Sequence, residues 1–357
     1  MLRRVLLIAA STLELIRYIS KVKHNTNKKT NLSKKAFTMG KYIRMFDTEA
    51  EYSQASKINP SVDWVVETDR VVYNPYHDYS RHYLTFVVTT GGNIGFSGST
   101  AENTLSFSKD NGETWNTADS ATTIPVAEGD KVLWKGTAAP QSYKGIGKFS
   151  GDTTARYSVE GNAMSLLFGD DFKNQTSLEN KNSAFYSLFG SNSNITGAEN
   201  MVLPATTLAN VCYGYMFEGC TSLTTAPELL ATTLANECYN GMFYGCTNLT
   251  TAPSVLSATT LLHSCYRGMF QHCTSLTTSP QLLASTLAYA SCYNMFDGCS
   301  NLNSITCLAT DISAGQCTGN WVSSVASSGT FTKAAGMTSW TTGTSGIPSG
   351  WTVIDKQ

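Results

Sequence analysis

Cys212-Tyr213-Gly214-Tyr215-Met216-Phe217-Glu218-Gly219-Cys220-Thr221-Ser222-Leu223-Thr224-Thr225-Ala226-Pro227 is followed by a near-copy, Cys238-Tyr239-Asn240-Gly241-Met242-Phe243-Tyr244-Gly245-Cys246-Thr247-Asn248-Leu249-Thr250-Thr251-Ala252-Pro253. A third copy runs from Cys265 to Pro280 and a fourth opens at Cys292, so the first cysteines stand 26, 27 and 27 residues apart. A fixed period of this length marks a solenoid, in which each unit buries its apolar side only against its neighbours. Weaker copies precede the array at Ser187-Leu188-Phe189-Gly190 and at Ser165-Leu166-Leu167-Phe168-Gly169. The array is placed at residues 161–308.

Cys, Met and Cys fall at i, i+4 and i+8, one stripe of a helix. In the fourth unit, Cys292-Tyr293-Asn294-Met295-Phe296-Asp297-Gly298-Cys299, one residue is missing and the spacing becomes i, i+3, i+7. Positions i+3 and i+4 share a helical face, whereas a one-residue slip in a strand turns every later side chain over. The Cys-to-Cys segment is therefore expected to be a short helix, with Gly219, Gly245 and Gly298 near its end. Leu223-Thr224-Thr225-Ala226 and its copies read as a short strand stopped by Pro227, Pro253 and Pro280. An apolar pair such as Leu230 and Leu234 then returns the chain to the next helix.

At Phe217-Glu218-Gly219-Cys220-Thr221-Ser222-Leu223 and its copies the chain resembles the BspA-like leucine-rich repeats, whose units share a Phe-x-x-Cys-x-x-Leu core followed by a strand and a proline. The unit here exceeds the family's shorter typical repeat. The Met-Phe-x-Gly-Cys variant and the closing Gly346-Ile347-Pro348-Ser349-Gly350-Trp351-Thr352-Val353 look like surface proteins of gut bacteria and of their bacteriophages. The resemblance implies a leucine-rich-repeat solenoid with a non-catalytic role in adhesion or surface recognition.

All ten cysteines lie between Cys212 and Cys317. On a helix, eight residues of rise separate Cys212 from Cys220 by about 12 Å, and a disulfide needs Cα atoms within about 7 Å, which excludes bridges inside a unit. Bridges between stacked units stay open, beside the reading of each thiol as a small apolar knob in the core. Zinc would favour C-x-x-C pairs, which are absent. Cys307 and Cys317, beyond the regular units, are the candidates for a different role. With Leu223, Leu249, Leu276 and Leu302 inward, Thr224, Thr250, Thr277 and Asn303 line the outer sheet face as a candidate partner-binding ladder. Plain β-propensity accounts for the threonines equally well.

The 41% hydrophobic content excludes a wholly disordered chain. Charge is unevenly spread. Residues 1–38 hold nine basic side chains against Glu14, a net +8; the remaining 16 basic and 25 acidic residues leave the body at −9. A nucleic-acid partner needs a basic face and is not expected. Residues 1–39 read as a basic leader, disordered or removed, either a degenerate secretion signal around Val5-Leu6-Leu7-Ile8-Ala9-Ala10 or sequence upstream of a start at Met39. The stretch is too short and too charged to span a bilayer.

Residues 40–160 read as a β-sandwich-like domain, with strands at Trp64-Val65-Val66-Glu67, Arg70-Val71-Val72-Tyr73, Tyr83 to Val88, Thr104 to Ser108 and Lys131 to Lys135. Ser108-Lys109-Asp110-Asn111-Gly112-Glu113-Thr114-Trp115 resembles the Asp-box hairpin of sialidases, but occurs once, so it reads as a structural hairpin with Asn-Gly at its turn. Within Tyr73 to Tyr83, the side chains of Tyr76, His77 and Tyr79 suit stacking on a sugar or peptide; an irregular loop is the other reading. Residues 309–357, with Trp321, Trp340 and Trp351, read as the C-terminal cap.

Gly145-Ile146-Gly147-Lys148-Phe149-Ser150-Gly151 has one residue too many for G-x-G-x-x-G, and Gly95-Phe96-Ser97-Gly98-Ser99 is not the G-x-S-x-G elbow. His263 and His272 read as surface substitutions. No enzyme, cofactor or metal is expected. The expectation is a surface-exposed or extracellular binding protein for a protein or glycan on a host or bacterial surface. The alternative is a bacteriophage virion protein, fibre or decoration, with the β-rich region as its docking module.

Overall fold

The computed structural model describes residues 79–356, together with the strand backbone at 45–46, 64–67 and 70–73. The basic leader, Met39, Tyr76 and His77 lie outside the described residues. The chain divides into two compact units, 1–78 and 79–357. In the first, β1 (Met45–Phe46), β2 (Trp64–Glu67) and β3 (Arg70–Tyr73) form an antiparallel sheet in the order β1-β3-β2, with Trp64 opposite Tyr73 and Glu67 opposite Arg70. The strands expected at 64–67 and 70–73 are these two.

The second unit opens with a sheet domain. Its strands are β4 (Leu84–Thr90), β5 (Gly92–Gly98), β6 (Leu105–Ser108), β7 (Asn116–Ala118), β8 (Ile124–Val126), β9 (Lys131–Lys135), β10 (Gly147–Gly151), β11 (Arg156–Asn162) and β12 (Ile195–Val202). A six-stranded sheet, β12-β11-β4-β9-β6-β7, faces a three-stranded one, β10-β5-β8. Alternation drives this: in β9, Val132 and Trp134 are buried while Lys131 is exposed. Phe86 and Trp134 of one sheet each meet Phe149 of the other at 4.8 Å between ring centroids, contacts that add about 0.5–1.5 kcal/mol apiece beyond burial.

β11 joins the two halves of the unit. It pairs antiparallel with β4 on one edge and parallel with β12 on the other. A parallel ladder then continues outward. Ala198 donates to Thr225, Thr225 bridges Thr251, and β13 (Val255–Leu256), β14 (Thr278–Leu282), β15 (Ser304–Cys307), β16 (Thr330–Ala334) and β17 (Thr352–Lys356) follow in order. This is a C-terminal β-solenoid. Pro227 and Pro253 stand just after the Thr225–Thr251 bridge, outside any strand, but Pro280 does not end its strand: it lies inside β14, at the register shift between Thr278 and Gln281, and the Gln281 N–H restores the ladder by donating to Ser254. The missing proline N–H is absorbed by the irregularity.

The Cys-to-Cys segments are not helices. Among the described residues the one α-helix is α1 (Ser165–Phe168), so Ser165-Leu166-Leu167-Phe168-Gly169 is not an early repeat copy. Each segment is instead a ribbon of successive turns. Left-handed backbone recurs every fourth residue, at Val211, Tyr215 and Gly219 and again at Glu237, Gly241 and Gly245. Alternate N–H groups close turns onto the carbonyl three residues back, as Gly214 does onto Val211 and Glu218 onto Tyr215. The intervening N–H groups reach the next coil: Tyr213 donates to Cys238, Tyr215 to Asn240 and Phe217 to Met242. A period of four places two residues inward and two outward, so Cys212-Tyr213 and Met216-Phe217 are buried as adjacent pairs.

The fourth unit contains no deletion in its ribbon. Left-handed positions 264, 268 and 272 are followed by 290, 294 and 298, a spacing of 26 throughout. Ser291 occupies the place of Cys265, and Cys292 the place of Tyr266; a cysteine has moved one inward position along an unchanged ribbon. Ser187-Leu188-Phe189-Gly190 does belong to a ribbon, with left-handed positions at 183, 187 and 191.

Inside the solenoid the rings stack in columns. Phe189, Phe217, Phe243, Phe270 and Phe296 follow one another at 5.1, 5.5, 5.4 and 5.7 Å. Phe185, Tyr213, Tyr239 and Tyr266 form a second column, which ends where Cys292 replaces the ring. Leu223, Leu249, Leu276 and Leu302 are fully buried as expected and Leu234 is buried, whereas Leu230 is 52% exposed and Leu229 takes its inward place. All ten cysteines are free and buried. They are more than apolar knobs: Sγ of Cys220, Cys246, Cys273 and Cys299 donates to the carbonyls of Phe189, Phe217, Phe243 and Phe270 on the preceding coil, at 2.9–3.1 Å. Cys307 and Cys317 are core residues too, and Cys317 donates to Ile312.

The segment 309–357 carries one further ribbon, with left-handed backbone at Gln316, Asn320 and Ser324, and the strands β16 and β17. Trp321 terminates the phenylalanine column against Phe296, stacks on Trp340 at 5.4 Å and donates its Nε1 proton to Gly346. Among the described residues no helix is long and apolar enough to cross a membrane.

Candidate functional site

Thr224, Thr250, Thr277 and Asn303 stand exposed in one line across successive coils. Their chemistry is partly spent. Thr224 Oγ1 donates to the Thr196 carbonyl at 2.8 Å and Thr250 Oγ1 to the Thr224 carbonyl at 3.1 Å, so these hydroxyls tie coil to coil and offer outward only acceptor lone pairs. A second ladder runs along another corner, where Thr207 bridges Thr233, and Thr260 bridges Thr286, which in turn bridges Asp311. The recurring Ala205-Thr206-Thr207-Leu208, Ala231-Thr232-Thr233-Leu234 and Ala258-Thr259-Thr260-Leu261 carried that signal.

Tyr79 lies half-buried in a short 3-10 turn, Tyr79–Arg81, and the described residues do not gather it with the ladder. Tyr83, at the end of the same sequence run, is held in a separate cluster. Its hydroxyl donates to Asp170 at 2.6 Å, its ring meets Trp115 at 5.0 Å, and the Lys135 ammonium sits 4.1 Å above Trp115 while pairing with Asp170 at 2.9 Å. Burial, followed by Asp170, pushes the Tyr83 hydroxyl up to about 12. Trp115 closes the Asp-box-like hairpin between β6 and β7 by donating Nε1 to Gly112 at 3.1 Å. Asn111 and Gly112 supply the left-handed pair of the turn. Hydrogen bonds from Ser108 and Thr114 hold the Asp110 carboxyl down at about 2. Ser108, Asp110, Thr114 and Trp115 of the motif are thus engaged in shaping the hairpin.

The outward pairs of the turn ribbon differ in kind. Along one outward column the coils carry Asn182, Asn210, Asn236, His263, Tyr289 and Gly315. The asparagines form a ladder, Asn182 Oδ1 accepting from the Asn210 backbone N–H and Asn210 Oδ1 from that of Asn236. At His263 the column turns aromatic, and His263 stacks on Tyr289 at 5.5 Å and 7°. A neighbouring column places the Arg267 guanidinium 5.1 Å from the Tyr293 ring. Glycines on the following coil make room for these rings: a Cβ at Gly315 would touch Tyr289 at 3.4 Å, and one at Gly319 would meet Tyr293 at 2.7 Å. Tyr215 rests on Gly241 in the same manner.

Between the two columns runs an open groove of about 410 Å³, lined also by the buried Ser264 and Ala290 and by the exposed Gln316. The sequence reading passed over this face. Its signal was the alternation of an aromatic residue with a glycine one period later, as in Tyr215 and Gly241 or Tyr293 and Gly319. Among the described residues no three His, Cys, Asp or Glu side chains converge as a metal site. The thiols are chemically muted: burial pushes Cys212, Cys220, Cys265, Cys299 and Cys307 up to about 12. No family model, curated protein or solved structure matches the chain.

Proposed function

We propose that this chain is a non-enzymatic, surface-exposed recognition protein, a BspA-like leucine-rich-repeat adhesin that holds a protein or glycan on the outside of its solenoid. The observation that carries the reading is the division of labour within each coil. Inward positions repeat the same Cys, Met, Phe and Leu, while the outer ribbon face changes chemistry from coil to coil, presenting Tyr215, Tyr244, His263, Arg267, Tyr289 and Tyr293. A rigid array with one variable face is the arrangement by which solenoids bind. The repeated Phe-x-x-Cys-x-x-Leu positions, all buried, support the leucine-rich-repeat assignment.

The test is attachment of the purified chain to bacterial cells. Replacing Tyr215, Tyr244 and Tyr289 together with Ser is expected to abolish attachment and leave folding intact, whereas Thr250→Lys with Thr277→Lys reports on the threonine ladder. Attachment untouched by both sets counts against recognition by the solenoid. The rival reading, a bacteriophage virion part with the sheet domain as docking module, is favoured by the β11–β12 pairing, which makes sheet domain and solenoid one continuous body. Mass spectrometry of purified particles against envelope fractions separates the two.

A further inference from the structure

We infer that the groove between the His263–Tyr289 and Arg267–Tyr293 columns binds a carboxylated sugar, a uronic or sialic acid residue of a larger glycan. This rests on the recognition reading and names its ligand class. The first support is charge. Arg267 is the sole Lys or Arg between Asn182 and Phe331, and no described carboxylate lies within ion-pair distance of it. The acid closest in the chain on the preceding coil, Glu237, accepts instead from Asn240 Nδ2 at 3.3 Å. A guanidinium lying over a tyrosine ring keeps its N–H edge free for the two parallel hydrogen bonds that a carboxylate accepts.

The second support is the shape of the walls. His263 and Tyr289 are locked parallel, and Tyr289 is 56% exposed although its ring already rests against Gly315. With one face toward His263 and the other against Gly315, the Tyr289 ring turns its edge to the groove, a pre-set wall that a ligand meets at low entropic cost. The third is the polar lining. Ser264 Oγ is buried with no hydrogen-bond partner, an arrangement that costs about 1–3 kcal/mol unless something satisfies it, and Gln316 adds an amide beside it. Hydroxyl-rich ligands supply the matching donors and acceptors. The groove volume falls in the range of small-molecule sites.

The experiment is titration of the full chain with glucuronate, N-acetylneuraminate, glucose, N-acetylglucosamine and an Asp-Glu peptide, followed by calorimetry and by shifts of the His263 ring resonances. Acidic sugars are expected to bind and neutral ones not. Arg267→Gln should weaken the acidic sugars about tenfold or more, the scale of one charge-assisted bidentate contact; Tyr289→Ser should weaken them as well. Circular dichroism of both variants guards against misfolding, and Arg267→Lys should restore binding only in part. Failure of both acids to bind, binding that ignores Arg267→Gln, or preference for the peptide overturns the inference. A neutral sugar or peptide held through Tyr289 leaves the recognition reading standing without it, whereas attachment to cells that is lost on none of the ribbon-face replacements removes both.

Discussion

Tyr293 lies so close over the α-carbon of Gly319 on the next coil that a Cβ there would stand 2.7 Å from its ring. Gly319 does not have a left-handed φ, so the requirement for glycine is one of space alone. Gly319→Ala is expected to lift Tyr293 and release the Arg267 guanidinium from it, at about 1–3 kcal/mol, the usual cost of overpacking. Thermal unfolding and the fluorescence of Tyr293 in a chain lacking the other ribbon tyrosines provide the readout. An unshifted Tm together with an unmoved Tyr293 would contradict the packing described.

Asn294 separates a turn ribbon from a helix. Its φ is 55°, and the same place in earlier coils belongs to Gly241 and Gly268. Its Oδ1 is also buried without a partner. Asn294→Gly should therefore equal or exceed the parent in stability, and Asn294→Ala should fall about 1–2 kcal/mol below the glycine variant, the penalty for a side chain in left-handed backbone. In a helix the order reverses, with alanine favoured over glycine by about 1 kcal/mol. Chemical denaturation of the two variants side by side gives the answer.

That comparison also marks what was legible in the sequence. The period, the inward Phe, Cys and Leu, and the strands β4, β6 and β9 of the sheet domain could be read directly, because burial selects residue type at each position. The helix could not be distinguished from the ribbon by Cys212, Met216 and Cys220, since i, i+4, i+8 satisfies periods of 3.6 and of 4 over so short a run. Two clues pointed to four: inward residues come as adjacent pairs, Cys212-Tyr213 and Met216-Phe217, and glycine recurs at Gly241 and Gly245 where a helix would lose about 1 kcal/mol each time. The shift of Cys292 into the tyrosine column imitated a deletion. The outer aromatic face was hidden because its partners, Tyr293 and Gly319, are neighbours only after the coils stack.

Acid should loosen the β6–β7 hairpin in a defined window. The Asp110 carboxyl becomes half protonated in the folded chain only near pH 2, against an ordinary value of 3.8. Its contribution is therefore complete above about pH 5 and is lost as the pH falls from there through the folded value near 2. The indole N–H resonance of Trp115, which reports the bond to Gly112, is expected to move in that interval; in Asp110→Asn it should be displaced at neutral pH and flat with acid.

The thiols give a prediction of opposite sign. Folded Cys220 and Cys299 remain protonated up to about 12, past the ordinary 9.0. An unfolded chain releases its thiol protons first, so stability is full below pH 9 and declines as the pH rises through the interval above it. At pH 8 a disulfide reagent should find no reactive thiol in the native protein and ten after denaturation. A thiol that reacts quickly in the native state would be exposed, against the burial described.

The ribbon hydrogen bonds all run one way. Ser183, Phe185, Ser187 and Phe189 donate to the coil after them, as do Tyr213, Tyr239, Tyr266 and Cys292 in their turn. Their peptide dipoles therefore add along the solenoid axis rather than along the chain, with the positive pole toward the C-terminal end. At that end Val322 donates to the Thr344 carbonyl and Asn320 to Ser345 Oγ, which satisfies these two donors of the last ribbon. The rod is thus electrically polar, like a helix seen end on. A whole coil can be inserted or removed without leaving a donor unmet, but a cut made between Cys299 and Thr344 exposes a row of buried N–H groups at once.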